Sequence, residues 1–235
     1  MADVTRLASF HLLREGPGRS AWALARLATD RRRLGGADGL VFWRLMGTGR
    51  GNETGPSADL SRTALFAVWE SPEALADFRS DSPISRRWSD LPESWHVTLA
   101  AAGGHGTWRG VDPLDGLAPG PTDGPVAVIT RADVRLRSWR AFRASGRRVA
   151  PEVTGAAGLI DVVGVGEAPV GRLGTFSLWR DDAAIRAFVT NSPNHRAAVR
   201  STRSDDWYSE ELFARFRPLS SEGTWAGRDP LAGLL

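Results

Sequence analysis

Residues 65–88 read LFAVWESPEALADFRSDSPISRRW, and residues 175–198 read TFSLWRDDAAIRAFVTNSPNHRAA. Aligned, Trp69 falls on Trp179, Phe78 on Phe188, Ser82 on Ser192 and Pro83 on Pro193, each pair 110 residues apart without a gap. Further on, GTWRGVDPLDGL (106–117) returns as GTWAGRDPLAGL (223–234) at an offset of 117, so the second copy carries seven extra residues between Pro193 and Gly223. Trp22 and Trp139 share the offset of 117 and are read as the beginnings of matching helices. Chance convergence gives one shared turn, not this many matches in order, so the chain reads as a tandem duplication.

Each copy reads as strand, helix, strand, strand, helix, strand. In the first, apolar-rich 4–13 is a strand, and 19–33 carries Trp22, Leu24, Leu27 and Ala28 at helical spacing. Strands follow at 39–46 and 63–69, separated by a glycine-rich loop at 47–57, and 95–101 is the last strand. Ser71-Pro72-Glu73 marks a helix start: a cap, a proline at the first helical position and an acid in the first turn. The second copy runs 125–134, 137–149, 158–165, 173–179, a helical region 181–203, and 210–217. This βαββαβ order is the ferredoxin-like pattern, an α+β sheet with helices on one face only. The bare face needs a cover. With so short a Pro/Gly-rich linker (109–124), the expected cover is the other copy, the two sheets facing one another as an intrachain dimeric α/β barrel. The expected units are 1–118 and 119–235.

The chain has 235 residues, 42% hydrophobic and 24% charged, the composition of a globular protein with one or two domains at ~150 residues each. No apolar run reaches the ~18 residues of a membrane span, and the N-terminus has no signal-peptide pattern, so the expected location is the cytoplasm, with at most peripheral membrane contact. A net charge of +3 and a pI near 10.6 suggest nucleic acid at first sight. All 30 basic residues, however, are arginines, and there is one tyrosine, so little buffers the alkaline range and a small excess gives a high pI. The charge is spread along the chain apart from Arg31-Arg32-Arg33 and Arg147-Arg148, and no nucleic-acid partner is expected. The absence of cysteine excludes disulfides, thiolate nucleophiles, iron–sulfur clusters and thiolate-ligated haem.

The four histidines are the remaining metal ligands of interest. His195 lies three residues after Ser192, which with Pro193 is expected to cap and start a helix; its equivalent in the first copy is Ser85. The scaffold itself therefore does not require a histidine there. A helix N-terminus disfavours imidazolium, and the neutral ring is the metal-ligating form. From the residues alone, a surface or capping histidine is the favoured reading. His11 alternates into the barrel interior on this reading, His96 begins a strand, and His105 sits exposed in a glycine-rich turn. Trp69/Trp179 and Trp108/Trp225 recur in both copies, which argues for packing, while Trp43 and Trp207 lack obvious partners. Gly47-Thr48-Gly49-Arg50-Gly51 lacks the Gly-Lys-Ser/Thr of a P-loop and precedes no helix, so it is read as a hairpin or lid.

Several stretches together resemble one family: FWRLMGTG (42–49), LFAVWESPEAL (65–75), SPISRRW (82–88), ITRADV (129–134), GVGEAP (164–169), TFSLWRD (175–181), HRAAVR (195–200), WYSEELFARFR (207–217) and GTWAGRDPL (223–231). The chain is similar over nearly its whole length to the spheroidene monooxygenases, carotenoid ketolases of purple bacteria. The resemblance implies O2-dependent oxygenation of an allylic carotenoid carbon, two hydroxylations giving a ketone. It implies haem b, with His195 on a histidine of the family pattern as the iron ligand. It also implies a small hydrophobic substrate, an external electron donor such as a ferredoxin, and room for homo-oligomers. Arg131, in the matching Thr-Arg-Ala segment, is the candidate to pair with a haem propionate or polarise bound oxygen. Glu167 and Arg215 match too, and a structural salt bridge serves equally for each. The loop after Gly49 and the stretch 117–124 depart from the family, and such loops set substrate choice. Competing readings are a haem peroxidase or a dehydratase acting on an N–O bond, a cofactor-free barrel monooxygenase, and a ligand-binding barrel.

Overall fold

The computed structural model describes residues 5–16, 18, 20–49, 58–168 and 170–235. The glycine-rich loop beyond Gly49 and the side chains of Trp22 and Leu24 lie outside the described residues. In chain order the elements are β1 (Leu7–Arg14), α1 (Ser20–Leu34), β2 (Leu40–Gly49), β3 (Ala58–Trp69), α2 (Pro72–Asp81), α3 (Pro83–Arg86) and β4 (Glu93–Gly106). After the linker come β5 (Val126–Val134), α4 (Trp139–Thr154), β6 (Leu159–Gly166), β7 (Arg172–Trp179), α5 (Asp182–Asn191), α6 (Pro193–Ser204) and β8 (Tyr208–Gly223).

The eight strands close into an antiparallel barrel in the order β1-β3-β2-β6-β7-β5-β8-β4. One seam, β4 with β8, is long and runs from Trp95↔Gly223 to Gly106↔Leu212. The other, β2 with β6, has only Gly47↔Gly166 and Thr48↔Val165. The long seam needs glycine at both ends. A Cβ on Gly106 or Gly223 would sit 2.1 Å from the carbonyl oxygen of Glu211 or Ser94, and both have positive φ.

Alternation along each strand decides the two faces. Phe10, Leu12, Phe66, Ile129, Phe176 and Phe216 point inward and form the barrel core; Phe10 and Phe176 stack across it at 3.8 Å. The repeated Gly-Thr-Trp turns plug the barrel. Trp108 and Trp225 are buried in this core, each following the end of an antiparallel seam strand, so they enter from opposite ends. Both turns place two successive residues at positive φ, Arg109-Gly110 and Ala226-Gly227, the conformation of a type I′ turn.

Strand β4 runs to Gly106 and β8 to Gly223, well past the expected 95–101 and 210–217, because the seam between them pairs both extensions. The helical region 181–203 is two helices, broken at extended Ser192 before Pro193. Helix α4 extends to Thr154, beyond the expected 149, with Pro151 inside its last turn.

Candidate active site

Helices cover the outward face of each half of the barrel. Under α1–α3 the cover is tight. Leu7, Leu13, Leu45, Leu65, Trp69 and Phe78 are among the buried residues of this cluster, and Trp88 completes it. His11 faces these helices, on the opposite side from inward Phe10 and Leu12, so it is not in the barrel interior. Ser9 Oγ accepts the Trp69 Nε1–H at 2.8 Å and lies 2.9 Å from His11 Nε2. His11 Nδ1 in turn lies 2.9 Å from His96 Nδ1, so one of the two carries the shared hydrogen. Trp88 packs on both rings. Burial pushes both histidines down, His96 to about 3, with Arg79 adding to the effect.

Under α4–α6 the cover is loose. Only Val126, Val128 and Trp179 are buried in this cluster, and none of the three helices has a buried residue. Strand pairing sets the corresponding positions: Leu7 and Val126 each sit opposite a tryptophan, Trp69 and Trp179. Counting along the strands from there, Thr130 stands where His11 does, and it is exposed on the helix-covered face. Its cross-strand partner Thr175 replaces buried Leu65. On α4, half-buried Phe142, Gly146, Val149 and Val153 recur at the spacing of one helix face. A Cβ on Gly146 would meet no atom within 4 Å.

His195 borders this open layer. The Trp69–Phe78 contact of the first half recurs as Trp179–Phe188 at 5.4 Å. Where Phe78 continues to Trp88, Phe188 continues to the His195 ring at 4.9 Å. His195 is the third residue of α6. The Ser192 side chain makes no cap bond, unlike Ser82, which accepts from the Ile84 N–H. Glu152 of α4 takes over: its Oε2 accepts the His195 N–H at 3.1 Å, and its Oε1 accepts from the Asn194 backbone and side chain. A carboxylate at a helix N-terminus also suits the macrodipole. The His195 Nδ1 is buried and has no hydrogen-bond partner among the described residues. Burial lowers its pKa, opposed in part by the Glu152 charge, so the ring is neutral at pH 7.

Arg131 lies elsewhere. It shares the inward face with Ala127 and Ile129, its guanidinium is 5.8 Å from the Trp108 ring, and it pairs with Glu210 and Asp133. Burial would raise the Glu210 carboxyl, but bonds from Gly110, Thr107, Arg109 and Arg131 hold it at about 2. Arg131 and His195 therefore occupy opposite faces of one sheet, and the structure does not bring them together. Glu167 pairs with Arg44 and Arg109, and Arg215 with Asp182. His105 is exposed. Trp43 is half-buried against the first helix layer, and Trp207 is buried beside Phe142. Glu152, Thr130 and Gly146 were not singled out in the sequence; the alternation of β5 is the signal that places Thr130 under the helices.

Among curated proteins, the chain is 32% identical over 230 residues to spheroidene monooxygenase of Rhodobacter capsulatus, covering 96% of this chain and 95% of that one. It is 33% identical over 218 residues to the Rubrivivax gelatinosus protein of the same name, covering 92% and 84%. The chain belongs to the spheroidene monooxygenase family. It is accordingly an oxidoreductase, a monooxygenase. No protein-family model matches. Among solved structures, an aldoxime dehydratase shares the fold at TM-score 0.57 and 13% identity, covering 100% of this chain and 88% of that one. An aldoxime dehydratase in complex with butyraldoxime shares it at 0.55 and 11%, covering 100% and 86%. No helix among the described residues is long and apolar enough to cross a membrane.

Proposed function

We propose that the chain is a haem-dependent monooxygenase that oxygenates a carotenoid or similar lipophilic substrate, with His195 as the iron ligand. One observation carries the assignment: a neutral histidine, with a ring nitrogen that is buried and unpartnered among the described residues, borders a helix layer whose helices hold no fully buried residue. An unsatisfied buried polar atom calls for a partner, and iron is one that neutral imidazole accepts. In this proposal Thr130 and Thr175 on the sheet and Gly146 on α4 are the small residues that would accommodate a flat ligand.

Haem bound there would activate O2 with electrons from an external donor such as a ferredoxin. The chain's own residues bind, orient and exclude water. Glu152 fixes the first turn of α6 and with it the His195 backbone. Phe188 packs on the imidazole, and Trp179 and Phe213 close the sheet side against solvent. Arg131, on the opposite face of the sheet and paired with Glu210 and Asp133, has no part in the proposed haem site.

We also read the barrel as two duplicated ferredoxin-like units, 1–118 and 119–235. Two observations support this: the strand order β4-β1-β3-β2 is matched by β8-β5-β7-β6, and the two Trp turns have the same backbone.

The test is the absorption spectrum of the purified protein, as isolated and after addition of haemin. A Soret band that His195→Ala shifts or abolishes is expected. No Soret band in either state would overturn the haem assignment.

A further inference from the structure

The charge that looks scattered in the sequence is gathered by the fold. Helix α4 carries Arg140, Arg143, Arg147 and Arg148, and α6 carries Arg196, Arg200 and Arg203. Against these seven stands one carboxylate, Glu152, which is already engaged at the start of α6. The two helices together are net +6 in a chain of net +3, so the rest of the protein is net negative. Helices α1, α2 and α3 together hold six arginines and four carboxylates.

The two helices lie side by side and antiparallel. Glu152, near the end of α4, meets the start of α6, and Phe142, near the beginning of α4, meets Trp207 just past the end of α6. Arg140 and Arg147 form one stripe at i and i+7, Arg196, Arg200 and Arg203 another at i, i+4 and i+7, and all five are exposed. Among the described residues none of the seven arginines has an ion-pair partner, although most arginines elsewhere on the barrel and its turns do. Like charges at i and i+4 weaken a helix, and stripes about 10 Å long lie within roughly one Debye length. Such an arrangement is stabilised by an anionic surface that spreads over both helices.

Apolar side chains are exposed on and beside these helices. Val199 is exposed between Arg196 and Arg203, and Leu136, just before α4, is 80% exposed, more than any other large apolar side chain among the described residues. Polyanions such as DNA offer these apolar side chains nothing. A bilayer interface takes both, phosphates against guanidinium groups and acyl chains against Val199 and Leu136.

We propose that the α4/α6 face docks on anionic lipid. The open layer beneath these helices would then face the phase in which a lipophilic substrate dissolves; that consequence rests on the proposed function, whereas the docking does not.

The test is co-sedimentation of the full-length protein with phosphatidylcholine vesicles and with vesicles containing phosphatidylglycerol, and needs neither haem nor turnover. Binding to the anionic vesicles alone is expected, weakening as salt is raised. Combined Arg140→Gln, Arg147→Gln, Arg196→Gln and Arg203→Gln should cut partitioning by about fivefold per arginine. Arginine-to-lysine substitution at the same four positions should retain it. Combined Arg31→Gln, Arg32→Gln and Arg33→Gln, on α1, should leave it unchanged. Matching thermal unfolding confirms that the variants are folded. The proposal is overturned by equal binding to neutral vesicles, by equal loss in the α1 variant, or by no vesicle binding at all, including the case where DNA or an acidic polypeptide is bound instead.

Discussion

The two helix layers of this barrel rest on nearly the same floor and differ in what fills the space above it. In the first, Trp69, Phe78 and Trp88 run in contact to the His11–His96 pair, and buried apolar side chains close the layer around a cavity of about 30 Å³. In the second, Trp179 and Phe188 repeat, but the next residue is His195, Thr130 stands in place of His11, and the helices bury no side chain. Both layers begin with a tryptophan whose indole N–H is held by a serine, Ser9 or Ser177. On the proposed function, the difference teaches that a ligand site is made by placing small side chains under the helices of one half of a barrel whose other half keeps its core side chains. A sealed layer contributes apolar burial; an open one leaves that burial to a ligand.

The largest expected effect comes from truncating the matched phenylalanines. Phe78 is buried and meets both Trp69 and Trp88, so Phe78→Ala should cost about 3–5 kcal/mol of unfolding free energy. Phe188 is half-buried beside a layer already open, so Phe188→Ala should cost clearly less in protein without ligand. Denaturant unfolding of the two variants checks this. Equal losses would mean that the second layer is packed as tightly as the first.

A smaller effect separates the layers by pH. His96 and His11 are neutral when folded, with His96 at about 3 and His11 well below its ordinary value, whereas an unfolded histidine titrates near ~6.5. Between those values the unfolded chain binds protons that the folded chain does not, so their contribution to stability is intact above pH ~6.5 and is lost as pH falls toward 3. The expected slope is about 1.4 kcal/mol per pH unit for each histidine. Denaturant midpoints measured from pH 7 to 4 should fall less steeply in His96→Gln than in the parent. An unchanged slope would show that the pair is hydrated or already charged.

Much of the fold is legible because its signals are local. The Trp–Phe–Ser–Pro spacing and the Gly-Thr-Trp turns fix the repeat, since tight turns need glycine and plugs need a large ring. The facing of Arg131 was also readable, because it keeps step with Ala127 and Ile129, both in the barrel core. The openness of the second layer was not. It depends on three positions far apart in sequence, Thr130, Thr175 and Gly146, being small together. Nor did the spread of arginines along the chain reveal their meeting on α4 and α6, which requires the antiparallel packing of two helices separated by β6, β7 and α5.

The smallest effect tests how the second layer holds its histidine. Ser82 caps its own helix from within, whereas Ser192 does not, and Glu152 reaches across from α4 instead. The start of α6 is therefore fixed by a neighbouring helix, and its carboxylate also supplies the negative charge next to His195. Glu152→Gln keeps one amide oxygen for Asn194 but removes the second acceptor and the charge. Since Glu152 raises the His195 pKa against the stronger effect of burial, the substitution should move the His195 titration lower still, as followed by NMR of the ring protons in protein free of haem. If His195 holds haem as proposed, the Soret band given by haemin should be retained but changed in position or width, because the imidazole is less firmly oriented. Loss of helix stability alone would leave the histidine titration where it is. An unmoved titration would therefore reduce Glu152 to a helix cap, and the orientation of His195 would have to come from Phe188.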